Sequence, residues 1–98
     1  FENVKVKTVK MFAPNGSTLI ELLEFDAPKG RDLSNQINDL GASHVAFTVS
    51  NIDEMYKKLK QSGIKFNASP QLSPDGYAKV TFCLDPDNTP VELVEVIK

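Results

Sequence analysis

Residues 44–97 switch between two hydrophobic periods in a fixed order, and that order restricts the fold more than any other feature of the chain. Residues 44–50 read HVAFTVS, a period of two. It puts Val45, Phe47 and Val49 on one face of a strand and His44, Ala46 and Thr48 on the other. The period then becomes helical: Ile52, Met55, Tyr56 and Leu59 recur at i, i+3, i+4 and i+7 and form one core-facing stripe. Asn51 precedes the stripe as an N-cap, with Glu54 as its capping-box partner. Gly63 supplies the left-handed residue that ends the helix. Ile64–Asn67 is predicted as a short strand, and residues 68–76, with Pro70, Pro74 and Asp75-Gly76, as a loop. Residues 77–84 alternate again, Ala78, Val80, Phe82 and Leu84 against Tyr77, Lys79, Thr81 and Cys83. The second set makes the polar side of that strand. Asp85-Pro86-Asp87-Asn88 predicts a turn, because Asn tolerates a left-handed backbone. It lacks the spacing and closing Glu of a calcium loop. Residues 90–97, PVELVEVI, predict the last strand. The order is βαβββ, an α+β module.

The preceding residues carry less. Residues 4–12, VKVKTVKMF, predict a strand whose alternation slips near Thr8, the mark of a bulge. Lys5, Lys7 and Lys10 read as its solvated face. Pro14-Asn15-Gly16 predicts a turn, and residues 18–25, TLIELLEF, the returning strand of a hairpin. Residues 28–43 are polar and rich in Gly, Asn and Asp, a linker between two structural units. The hairpin ends LIELLEF and PVELVEV are alike, so residues 1–27 read as the last two strands of an incomplete first module and residues 44–98 as a complete second one.

A chain of 98 residues makes one domain overall. A hydrophobic share of 41% and a charged share of 24% exclude disorder and collagen-like repeats. A net charge of −2 offers no basic field for nucleic acid. Apolar runs are too short to span a membrane as a helix. The single cysteine, Cys83, forms no internal disulfide and suits a reducing, cytoplasmic setting. No signal-peptide pattern, phosphate-cradling glycine loop, nucleophile elbow or CxxC stands in the sequence. Cys83 reads as a plain buried thiol.

Three residues carry potential chemistry. Glu21 shares a strand face with Leu19, Leu23 and Phe25. Glu92 shares one with Val94 and Val96. His44, the only histidine, opens the central strand. A carboxylate inside a strand is disfavoured and costly to bury unpaired. A Glu/His set turned into one cavity relieves that cost by sharing a cation, and such sets suit Zn, Ni, Co, Fe or Mn. The plain alternative is that each Glu faces solvent. Glu24 and Glu95 sit on the opposite faces from Glu21 and Glu92, and the alternation does not say which of each pair faces in.

Taken in order, Gly41-Ala-Ser-His44-Val-Ala-Phe-Thr-Val49, Asn51-Ile-Asp53, Leu59 to Gly63, Phe82-Cys-Leu-Asp85-Pro-Asp87 and Val91-Glu92-Leu93, with Leu19-Ile-Glu21-Leu-Leu before them, resemble the vicinal oxygen chelate superfamily. Its members include glyoxalase I, bleomycin-resistance proteins, extradiol dioxygenases, fosfomycin-resistance enzymes and methylmalonyl-CoA epimerases. The resemblance implies two βαβββ modules that form a cup around a divalent metal. It implies Glu21, His44 and Glu92 as metal ligands, chosen over Glu24 and Glu95, and Glu92 and Glu21 as the bases of a glyoxalase I-like lyase or isomerase. It implies Val45, Phe47 and Val49 beneath the helix and His44, Ala46 and Thr48 toward the cup. The expected partners are a small-molecule substrate with two vicinal oxygens and a second copy in a homodimer. A metal-free bleomycin-resistance-type binding module and an iron-dependent extradiol dioxygenase are the alternatives. The family's first strand, with its fourth ligand, and the helix and strand that follow it have no counterpart in this sequence.

Overall fold

The computed structural model describes residues 3–13, 18–31, 38, 40, 41 and 44–97. They fall into two units, Phe1–Leu33 and Ser34–Lys98.

The first unit is a hairpin of β1 (Lys5–Phe12) and β2 (Leu19–Ala27). The Ala13 amide donates to the Thr18 carbonyl at 2.9 Å and closes the ladder. The turn predicted at residues 14–16 lies outside the described residues. The register is irregular between Lys5 and Val6, not at Thr8, which pairs normally with Leu23. The slip read from the sequence has another cause: the ribbon is apolar on both faces. Val6, Phe12, Leu19, Leu23 and Phe25 share one face; Val9, Met11, Ile20 and Leu22 share the other. The lysines accordingly form no single face. Lys7 stands opposite Glu24 on one side and Lys10 opposite Glu21 on the other. Opposite charges placed directly across a ladder contribute about 0.2–1 kcal/mol each.

The second unit contains β3 (Val45–Thr48), α1 (Ile52–Gln61), β4 (Gln71–Leu72), β5 (Ala78–Leu84) and β6 (Pro90–Val96). The strand order is β3-β6-β5-β4, with β3 parallel to β6 and the other pairs antiparallel. This is the βαβββ arrangement of the α+β class. The helix ends are set locally. The Asn51 side chain accepts from the Glu54 amide at 3.4 Å and donates its own NH2 to the Glu54 carboxylate at 2.9 Å. At the other end Gly63 (φ +94°) lets its amide reach Lys60 O at 3.1 Å and the Ile64 amide reach Leu59 O at 3.0 Å. This double closure satisfies two of the last carbonyls. The predicted turn after β5 is present. The Asp85 carboxylate accepts from the Asp87 and Thr89 amides at 2.9 and 2.8 Å, and Asn88 has φ +64°.

Two expectations are corrected. Ile64–Asn67 is not a regular strand: Phe66 makes one bridge to Cys83, and β4 forms at Gln71–Leu72 inside the predicted loop. Both segments line the same edge of β5. The chain bends between them, and the Phe66 ring packs edge-on against Tyr56 of the helix, with centroids 4.8 Å apart. Pro70 has no amide to donate to a ladder. The Thr81 hydroxyl donates to the bent Ala68 carbonyl at 2.7 Å, so the break leaves that carbonyl satisfied. The second correction concerns the faces of β5. Thr81 (3% exposed) and Cys83 (7%) lie on the helix-covered core side with Leu93 and Ile52. Val80, Phe82 and Leu84 occupy the uncovered face and are only half-buried. The side that reads as polar is the core side, because Thr and Cys are small enough to sit beneath a helix and Thr81 finds an acceptor there. Lys79, at the rim of the same side, pairs with Asp53 of the helix at 2.7 Å.

Candidate functional site

Parallel pairing of β3 with β6 sets Ala46 beside Glu92, and antiparallel pairing of β5 with β6 sets Phe82 beside Glu92. Register partners share a face, so Ala46, Glu92 and Phe82 lie together on the face opposite the helix. His44 precedes β3 by one residue and two residues before Ala46. Its Nε2 lies 2.9 Å from Glu92 Oε1, and its ring meets Phe82 edge-to-face with centroids 5.4 Å apart. The two side chains keep 32% and 21% of their surface, so a small molecule can reach both.

Glu95, on the opposite face of β6 from Glu92, has a different task. Its Oε1 accepts from the Ile52 amide at 2.9 Å. One free amide at the start of α1 is thereby satisfied, and a carboxylate stands at the positive end of the helix. Sequence reasoning missed this role. The only signal for it was an extra carboxylate on the helix-facing side of the last strand, with Ile52 at the helix start.

Glu21 belongs to the first unit. It is exposed on β2, on the face of Leu19 and Leu23, directly across from Lys10. Glu24 faces the other way, opposite Lys7. In the second unit, among the described residues, no third His, Cys, Asp or Glu joins His44 and Glu92.

The pair suits a divalent transition metal in its donor chemistry. It offers one imidazole nitrogen and one carboxylate oxygen, a set that Zn, Ni, Co, Fe and Mn accept. His44 and Glu92 would hold such an ion through the imidazole nitrogen and the carboxylate oxygen that now meet at 2.9 Å. Cys83 cannot contribute to such a site. It is buried on the other side of the sheet, and desolvation pushes its pKa above the ordinary thiol range, keeping it protonated.

The family model for the Glyoxalase/Bleomycin resistance protein/Dioxygenase superfamily matches residues 2–93, and the chain belongs to that superfamily. Over 81 residues it is 36% identical to the uncharacterized protein YwkD of Bacillus subtilis, covering 83% of this chain and 61% of that protein. Over 83 residues it is 34% identical to the uncharacterized protein YaeR of Escherichia coli, covering 85% of this chain and 62% of that protein. A crystal structure of a glyoxalase family protein from Bacillus cereus superposes with a TM-score of 0.81 at 25% identity, over 97% of this chain and 64% of that one. The methylmalonyl-CoA epimerase of Streptomyces coelicolor shares the fold, with a TM-score of 0.53 at 19% identity, over 99% of this chain and 73% of that one. The chain thus spans about three fifths of the two sequence relatives' length. Among the described residues no helix is long and apolar enough to cross a membrane.

Proposed function

We propose that the protein is a metal-dependent lyase or isomerase of the glyoxalase I type, acting on a small molecule that presents two vicinal oxygens, such as a 2-oxoaldehyde–thiol adduct. The observation that carries this reading is the His44 Nε2–Glu92 Oε1 approach of 2.9 Å on the uncovered sheet face, while Glu95 is committed to the helix. A divalent transition metal supplies charge that stabilises negative charge developing on the two oxygens. His44 serves as a neutral nitrogen ligand through Nε2. Glu92 serves as an oxygen ligand and as the base that takes a proton from the substrate carbon and returns it to the neighbouring one. Glu21 is the proposed third ligand and second base. The protein is taken to act as a homodimer in the cytoplasm.

Elemental analysis of purified protein, with intact mass and light scattering on the same sample, tests this. About one transition metal per chain and turnover of methylglyoxal–thiol adducts are expected. No metal after incubation with nickel, zinc and iron sinks the reading. A metal-free binding module of the bleomycin-resistance type would then lead, favoured by the absence of a third ligand around His44 and Glu92 among the described residues of the second unit.

A further inference from the structure

His44 stands one residue outside β3, where no ladder fixes the chain. An imidazole so placed is free to turn about its outer torsion unless a neighbour fixes its plane. The ring opposite it is fixed far more firmly. Phe82 lies in the middle of β5, register partner of Glu92, and its carbonyl accepts from the Asn67 amide at 3.2 Å on the other edge. Its flanking residues Thr81 and Cys83 are buried on the core side. The Phe82 ring therefore projects from a backbone held on both edges and one face, and it meets the His44 ring at 5.4 Å and 68°, an edge-to-face contact.

We propose that Phe82 is the positioning residue of this site, fixing the plane in which the His44 imidazole presents Nε2 to Glu92. The inference rests on the His44–Glu92 pair being the functional site. Phe82 touches no reacting atom in this scheme. It acts through His44, at the cost of leaving part of an aromatic side chain exposed on a sheet face that the helix does not cover. An apolar ring beside the pair also limits water there, which strengthens the charge interactions of Glu92.

The single histidine makes the test direct, because its ring protons give one set of NMR signals. In metal-free wild type, nuclear Overhauser contacts are expected between the His44 and Phe82 rings. In Phe82→Leu the His44 signals should move to exposed-histidine positions. Nickel affinity should fall roughly tenfold, the lower range for groups that orient a ligand. Phe82→Tyr, which keeps the ring, should restore both. Slow alkylation of Cys83 reports that β5 is intact, and Phe82→Met replaces the leucine variant if that protein does not fold. Unchanged His44 signals in a folded ring-less variant overturn the proposal. A wild type that binds no nickel yet shows the ring contacts overturns the metal reading and leaves Phe82 as the residue that positions His44.

Discussion

Glu92 and Glu95, three positions apart on β6, set one carboxylate on the open face of the sheet and one on the covered face, and the consequences are separable by mutation. Glu92→Gln is expected to abolish tight metal binding in a titration while changing stability by no more than about 0.5 kcal/mol, since its pair with His44 is partly exposed. Glu95→Ala should do the reverse. It should lower stability by about 1–2 kcal/mol in chemical denaturation, the cost of a lost helix-end acceptor, and spare metal binding. Cys83 gives a pH signature. Its folded pKa is raised by desolvation, so its contribution to stability is fully present below the ordinary thiol value of 9.0 and is lost as pH rises through the raised value. The stability difference between wild type and Cys83→Ala should therefore shrink above about pH 9 in thermal melts. At this scale the sequence was readable where periodicity and chemistry agreed, as at Ile52 and the buried thiol of Cys83. It misled at Thr81 and Cys83, because alternation ranks faces by polarity whereas burial is decided by what fits beneath the helix. The contacts of Phe82 and Glu95 depend on strand register, which one strand's sequence does not encode.

The helix and the edge of the sheet show how local sequence settles an element. The ends of α1 were legible, in Asn51 with Glu54 and in the closing glycine, but the stripe only in part: Ile52 is fully buried while Met55 stays 37% exposed. The cap yields a clean test. A Cβ added at Gly63 meets no atom within 4 Å, so Gly63→Ala has a conformational cost only, arising from φ +94°. A loss of about 1 kcal/mol is expected from denaturation curves. The edge opposite β3 was less legible. Its two short pieces, at Phe66 and at Gln71–Leu72, depend on a ring contact to the helix and on the Thr81–Ala68 hydrogen bond. Neither is a local property. The broken edge also offers a poor template for pairing with another chain, a common protection of edge strands.

At the scale of the molecule, the hairpin and the βαβββ unit differ in how they are stabilised. The second unit has a covered core around Ile52, Thr81, Cys83 and Leu93. The hairpin is exposed along both strands, with apolar residues on both faces. A peptide of residues 3–31 is expected to show little strand signal in circular dichroism, because a lone two-stranded ribbon is marginal in water. The superfamily and the module were readable from the order of motifs along almost the whole chain. The choice of Glu21, His44 and Glu92 came from the resemblance alone, because a strand's alternation does not say which of its carboxylates serves a site.

The pairing of β6 has a kinetic consequence. It is the last strand in chain order, yet it lies between β3 and β5 and brings Val45 beside Val91. The central ladder of the sheet cannot begin before nearly the whole unit has left the ribosome. Loop closure over such a span is the slow step in sheets built from distant strands. Until that step the helix has no floor and His44 has no Glu92. Val94→Ala, at the centre of that strand, is accordingly expected to slow refolding in stopped-flow measurements more than it speeds unfolding, and the appearance of metal affinity should follow the same slow phase.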